Sequence, residues 1–324
     1  MKRRPSVALS AAATFLLVVT AIAGWSSAAA NTPVPGTAAQ VASVVKSSTS
    51  IKSIPANLTP SLQSIADSNN AFELSGPAYF ASCDAYGNHN EQTHPTPCLF
   101  GDTKSTKTIV LVGDSSVGNW APALNIGLKS AGYRLAVYGF AGCPTPDLTY
   151  TPTNDPGNVA AACNKWHAAL PPAVRSLHPL AVIAVVGAVD LGLITNKQWI
   201  VGFKKLYSQL ATGSTARILI GTSPMFPEAI PTCLAAHRDP QTCALHYQFG
   251  AGYYGVYVGR DPQIASASDG TLIPTYKWLC SSGSCSPVIG KYLVYADADH
   301  LTIIYSEYLA TVVTHAVVEV VKGH

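Results

Sequence analysis

Two stretches carry side chains suited to covalent chemistry: Val112-Gly113-Asp114-Ser115-Ser116 and Asp297-Ala298-Asp299-His300-Leu301-Thr302. A serine one turn past a buried strand, ahead of a helix, is well placed as a nucleophile. The helix N-terminus beside it offers unpaired N–H groups that can hold an oxyanion. Histidine is the natural general base near neutral pH, and a carboxylate can fix its tautomer and stabilise the imidazolium. Asp297 lies three residues before His300 and can fold back onto the ring in a tight turn. The other ring nitrogen is then left for Ser115. Asp299 is expected to point away or to cap the following helix. The plain alternatives are a capped turn at Asp114 and Ser115 and a solvated acidic turn at 297–302. Neither stretch decides the matter alone; both follow apolar strands in the inferred order.

The elements that would position these groups are read from apolar runs and breakers. Residues 108–112 form a short β-branched run of the kind found in strands buried on both faces. A helix is expected over 118–130, closed by Gly132. Further strands are expected at 133–140, 181–186, 217–220 and 293–295, and helices at 161–177, 196–210 and 301–322, the last capped by Thr302. Strands alternating with helices indicate an α/β protein: a three-layer α/β/α sandwich on a mostly parallel five-stranded sheet. In such sheets the reactive groups gather beyond the carboxyl ends of the strands. Residues 222–290 read as a long insertion, and 31–75 as an N-terminal arm with a short helix at 37–46. The domain itself is expected over 76–324.

Composition excludes several classes. The 324 residues are 48% hydrophobic and only 11% charged, too few charges for a nucleic-acid surface or a disordered polyelectrolyte. Taking away Lys2, Arg3 and Arg4 leaves 17 basic against 17 acidic residues, so no electrostatic pull toward DNA or an anionic membrane remains. Those three charges precede an apolar run over 7–24, followed by Ala28 and Ala30 in a small-residue cleavage pattern. This reads as a signal peptide cut near Ala30, with retention as a membrane anchor the alternative. Either way the body lies outside the cytoplasm, and a cleaved chain makes no stable membrane insertion.

Eight cysteines in an exported chain argue for disulfides. The simplest of on the order of 100 pairings is sequential: Cys83–Cys98, Cys143–Cys163, Cys233–Cys243 and Cys280–Cys285. Zinc is the rival, but no C-x-x-C spacing is present. No metal is expected. His167, His178, His237 and His246 are scattered and read as packing or surface residues.

These features resemble the SGNH (GDSL-like) hydrolases, especially the extracytoplasmic SGNH domains fused to membrane acyltransferases. The matching pieces are G-D-S-S-V-G-N-W-A-P-A-L at 113–124, A-G-C-P at 141–144, C-N-K-W at 163–166 and D-A-D-H-L-T at 297–302. The resemblance implies a flavodoxin-like fold in which Ser115 attacks an ester carbonyl, His300 takes its proton and Asp297 orients His300. No cofactor is implied. It also implies an oxyanion hole of the Ser115 N–H, a glycine N–H after the second strand and an asparagine after the third. Gly142 is the candidate glycine and Gly139 the alternative. The family pattern G-x-N-D is here Gly187-Ala188-Val189-Asp190, so valine stands where asparagine is expected. Losing one oxyanion donor costs about 3 kcal/mol of transition-state stabilisation. Asn119, or the backbone N–H of Ala188 or Val189, is a possible substitute.

Trp120, Asn119, Val189, Pro224 and Met225 are candidate substrate contacts; for Trp120 and Trp166 core packing is the duller reading. Tyr247, Tyr253, Tyr254 and Tyr257 suit either sugar rings or packing. The expected activity is a secreted, monomeric serine esterase acting on a small-molecule or glycan O-acyl ester. The alternatives are an O-acyltransferase to a sugar hydroxyl, a catalytically weakened carbohydrate-binding module, and a lipase for longer acyl chains.

Overall fold

A computed structural model of the chain describes residues 36–67, 71–149, 159–187 and 195–324. The expected signal peptide over 1–30, with Ala28 and Ala30, and the valine at 189 lie outside the described residues.

Six strands form the central sheet: β1 (Cys98–Gly101), β2 (Thr108–Gly113), β3 (Arg134–Gly139), β4 (Ala181–Val185), β5 (Ala216–Ile220) and, after the two-residue β6 (Leu245–His246) of a separate ribbon, β7 (Thr271–Ile273). Their order is β1-β3-β2-β4-β5-β7. All pairings are parallel except that of β1 with β3. The five parallel strands therefore follow the flavodoxin-like order, first strand between second and third.

Alternation along the strands builds two cores. Ile109, Leu111, Val137, Ile183 and Ile218 face one side, against Trp120, Leu124 and Leu128 of the Val117–Ala131 helix and Val313 and Val317 of the Ala310–Lys322 helix. Val110, Val112, Tyr138, Val182 and Ala184 face the other, against Trp166, Leu170 and Val174 of the Val159–Ser176 helix and Trp199, Phe203 and Leu206 of the Asn196–Leu210 helix. With both faces covered, the strands read as unbroken apolar runs. This is the expected three-layer sandwich.

Four details differ from the sequence reading. The edge strand β1 is antiparallel and adds a sixth strand. The fifth parallel strand is β7, which lies inside the stretch read as an insertion. Thr271-Leu272-Ile273 spans only three residues between Gly270 and Pro274, too short to stand out as a run. The expected strand at 293–295 instead contributes β10 (Tyr292–Leu293), antiparallel to β9 (Val288–Ile289); β8 (Ser284–Cys285) pairs with β6. The last helix is also divided, into Ile303–Tyr308 and Ala310–Lys322, at Leu309. Thr302 caps the first piece by accepting the Tyr305 N–H.

The arm helix spans Ala38–Ser48 and begins in a capping box between Thr37 and Gln40. Its Val41 and Val45 are fully buried in the first core. All four sequential disulfides are present. Among the described residues no helix is long and apolar enough to cross a membrane.

Candidate active site

Strand β2 ends at Gly113, level with Gly139 of β3, and the chain turns through Asp114, Ser115 and Ser116 into the Val117–Ala131 helix. Asp114 shapes that turn from inside. Its N–H is donated to Thr145 Oγ1 at 3.3 Å and its Oδ1 accepts the Ser116 N–H at 2.8 Å. Asp114 is fully buried, which leaves the half-buried Ser115 at the tip of the turn.

The 297–302 loop meets it from the far end of the chain. His300 Nε2 lies 2.8 Å from Ser115 Oγ, and His300 Nδ1 lies 2.8 Å from Asp297 Oδ2. With the ring proton on Nδ1, Nε2 is free to accept the serine hydroxyl. Asp297 Oδ1 accepts the backbone N–H groups of Asp299 (2.9 Å) and His300 (2.8 Å). The carboxylate is thereby locked into the turn it organises. Asp299 does not point away as expected: its Oδ1 is 3.4 Å from His300 Nδ1.

Electrostatics raise the proton affinity of the histidine. Burial alone would lower its pKa, but the hydrogen bond to Asp297 and the charges of Asp299, Asp297 and Asp114 together raise it above the usual 6.5. Asp297 is itself held below the ordinary carboxylate value; burial opposes this, and the hydrogen bond and charge of His300 and the two backbone N–H groups outweigh it. Burial pushes Asp114 up to about 6, offset only in part by its bonds to Ser116.

The backbone N–H groups of Ser115 and Gly142 have no acceptor among the described residues. Gly142 sits at φ +80°, a left-handed turn that glycine adopts without strain. The loop carrying it is pinned by the Cys143–Cys163 disulfide, by His167 Nε2 donating to the Pro144 carbonyl at 3.0 Å, and by the Ala141 N–H donating to Asp84 Oδ1 at 3.0 Å.

A family model described as "SGNH domain (fused to AT3 domains)" matches residues 82–314. The chain belongs to the SGNH family. It is an SGNH-type enzyme, of the esterase and acyltransferase kind. No curated protein matches the SGNH chain. Among solved structures it is similar to the periplasmic domain of a lipopolysaccharide acetyltransferase from Salmonella ser. Paratyphi A. That match has 16% identity and a TM-score of 0.52, and covers 65% of this chain and 83% of that one, which shows a common fold. A GDSL-like lipase from Bacteroides thetaiotaomicron is also similar, at 15% identity and TM-score 0.43, over 66% of this chain and 89% of that one.

The SGNH domain does not use every predicted residue as expected. Asn119 is 1% exposed, and its amide is spent on the histidine loop. Its Oδ1 accepts the Leu301 N–H at 2.9 Å and its Nδ2 donates to the Asp299 carbonyl at 3.3 Å. It is a brace, not a substrate contact or a spare oxyanion donor. Trp120, also 1% exposed, packs against Trp278 at 6.1 Å between ring centres, so its role is core packing. Gly139 is buried under Phe80, whose ring lies 2.2 Å from where a Cβ would stand, and this leaves Gly142 as the glycine candidate. Pro224 is buried and Met225 half-buried. Their loop runs alongside the site, with the Phe226 N–H donated to the Ala298 carbonyl at 2.8 Å and the Ile230 N–H to the Asp297 carbonyl at 3.1 Å. Tyr247 and Tyr254 pack on each other at 4.9 Å, and Tyr257 stacks on Arg260; the side chain of Tyr253 lies outside the described residues.

The roles of three contributors escaped the sequence reading. Asp84 reaches the 141–144 loop from 57 residues away, and only its place directly after Cys83 hints at a fixed position. Thr145 holds the Asp114 N–H. Gly187 leaves room for Asp114: a Cβ there would stand 1.8 Å from Asp114 Oδ2.

Proposed function

We propose that this SGNH domain is an extracytoplasmic serine esterase that cleaves O-acyl esters, with a glycan as the alcohol part, through an acyl-enzyme on Ser115. The observation that carries the reading is the chain of two 2.8 Å contacts from Ser115 Oγ through His300 to Asp297. His300 Nε2 takes the hydroxyl proton as Ser115 Oγ bonds to the ester carbonyl carbon. The resulting oxyanion is received by the N–H groups of Ser115 and Gly142. Asp297 stabilises the imidazolium. The intermediate collapses, and the C–O bond to the leaving alcohol breaks as His300 returns the proton to it. Water then attacks the acyl-serine with His300 again as base, releasing the carboxylic acid and the serine hydroxyl. Four disulfides suit an oxidising compartment, in keeping with export by the N-terminal signal.

A second reading is acyl transfer, in which a sugar hydroxyl replaces water in the second half. It is favoured by the family's description as fused to AT3 domains. The test is turnover of a short-chain aryl ester and labelling by a fluorophosphonate. Both are expected in the native protein and lost in Ser115→Ala. Unchanged turnover in the purified variant would overturn the mechanism.

A further inference from the structure

Beside the 141–144 loop, at the carboxyl end of β3, a cavity of about 290 Å³ opens between the His89–Thr93 helix and the start of the Val159–Ser176 helix. Tyr86, His89, Gln92, Phe140, Val159 and Lys165 are the side chains in its wall that matter. We propose that this cavity is a carbohydrate subsite that takes the sugar ring of the ester substrate and prefers a ring bearing a negative charge. The proposal rests on the esterase reading and adds where the glycan sits and what charge it carries.

Position is the first argument. β3 lies next to β2 in register, Gly139 opposite Gly113, so Phe140 and Ser115 leave neighbouring strand ends separated by about 5 Å. A methyl group on Gly142 would touch Val159 at 3.9 Å, so the cavity wall adjoins the candidate oxyanion donor. One carboxylate oxygen, Asp84 Oδ1, accepts both the Tyr86 N–H and the Ala141 N–H, each at 3.0 Å. Cavity wall and oxyanion loop are thus built on the same anchor.

Chemistry is the second. Tyr86 is 57% exposed and lines the cavity, an aromatic side chain of the kind on which a sugar packs. Gln92 supplies an amide held by the Ala85 carbonyl at 3.2 Å, and His89 Nδ1 lies 3.3 Å from Gln92 Oε1. These bonds hold the exposed His89 ring in the wall as a fixed polar group suited to a hydroxyl. Among the described residues Lys165 brings a cation that makes no ion pair, and no acidic side chain lines the cavity. An unneutralised ammonium beside an aromatic face favours a uronate or a similarly charged ring over a neutral one.

The experiment compares acetylated oligogalacturonides, acetylated xylo-oligosaccharides and an aryl acetate on the native protein, Tyr86→Ala and Lys165→Met. Lys165→Met is expected to lower kcat/KM on the oligogalacturonide about fivefold relative to the aryl acetate, and to flatten its salt dependence. Tyr86→Ala is expected to lower both glycan rates relative to the aryl acetate. A proportional fall on all three substrates, or none, overturns the subsite. Deacylated oligogalacturonate is also titrated into Ser115→Ala, with and without Tyr86→Ala, by calorimetry. Binding that Tyr86→Ala abolishes upholds the subsite even where no ester turns over, an outcome that removes the esterase reading alone. Ester turnover without such binding removes the subsite alone.

Discussion

Asn119 Oδ1 accepts the Leu301 N–H at 2.9 Å, and this bond joins the helix after the serine to the loop that carries the histidine. The two residues are 182 positions apart, and Asn119 also holds the Asp299 carbonyl. Removing a buried amide with both partners left behind costs about 1–3 kcal/mol. Asn119→Ala is therefore expected to lower the unfolding free energy by that amount, and to reduce kcat more than it raises KM. Denaturant unfolding and steady-state kinetics on an aryl ester measure both. Wild-type kcat in a destabilised variant would show that the brace serves folding alone.

The pH profile should carry the mark of the raised His300. A base must be unprotonated to accept the serine hydroxyl, so kcat/KM falls as pH drops through the histidine pKa of the free enzyme. Because Asp297, Asp299 and Asp114 hold that pKa above the usual 6.5, the acid limb is expected above 6.5. Asp297→Asn takes away the hydrogen-bonded charge, so the limb should move to lower pH while kcat falls by about two to four orders of magnitude. An unmoved limb in Asp297→Asn would assign the titration to another group.

Asp84 is predicted to act through the loop it holds. In Asp84→Ala the Ala141 and Tyr86 N–H groups lose their common acceptor, and Gly142 is freed to wander. kcat is expected to drop about tenfold, with slower fluorophosphonate labelling, whereas Asp84→Asn keeps an acceptor oxygen and restores most of the rate. Equal damage from both substitutions would point to a role for the charge itself.

Stability should depend on pH through Asp114. Its pKa rises from 3.8 unfolded to about 6 folded, so between those values the folded state binds more protons and stability falls as pH rises. The cost is fully present above about pH 6 and amounts to ~3 kcal/mol at most. Asp261, also buried and at about 6, adds a decline of the same sign in the same window. Asp114→Asn carries no such charge, so it is expected to gain stability over the native protein at pH 8 and little or none at pH 4. Thermal unfolding of both proteins across that range checks the sign.

The layers and most helix ends were legible because continuous β-branched runs and amphipathic spacing are local signals. The Asn196–Leu210 helix lies where the pattern put it, and Thr302 caps as expected. The pair Ser115 and His300 was legible for a different reason: reactive groups collect past the carboxyl ends of parallel strands, and both stretches followed strand-like runs. What escaped depended on contacts across the chain. β7 is recognisable only by its neighbour β5. The bracing role of Asn119 exists only once residue 301 is beside it. Asp299 was misjudged because a side chain's direction in a tight turn is set by the turn's own hydrogen bonds, here those of Asp297.

The four disulfides close loops of 15, 20, 10 and 5 residues, whereas the serine and the imidazole meet across 185. No covalent crosslink spans that distance. The alignment of Ser115 with His300 is thus a property of the cooperative whole: heat should extinguish turnover in the same transition that melts the sheet, with no residual activity stitched in place by sulfur.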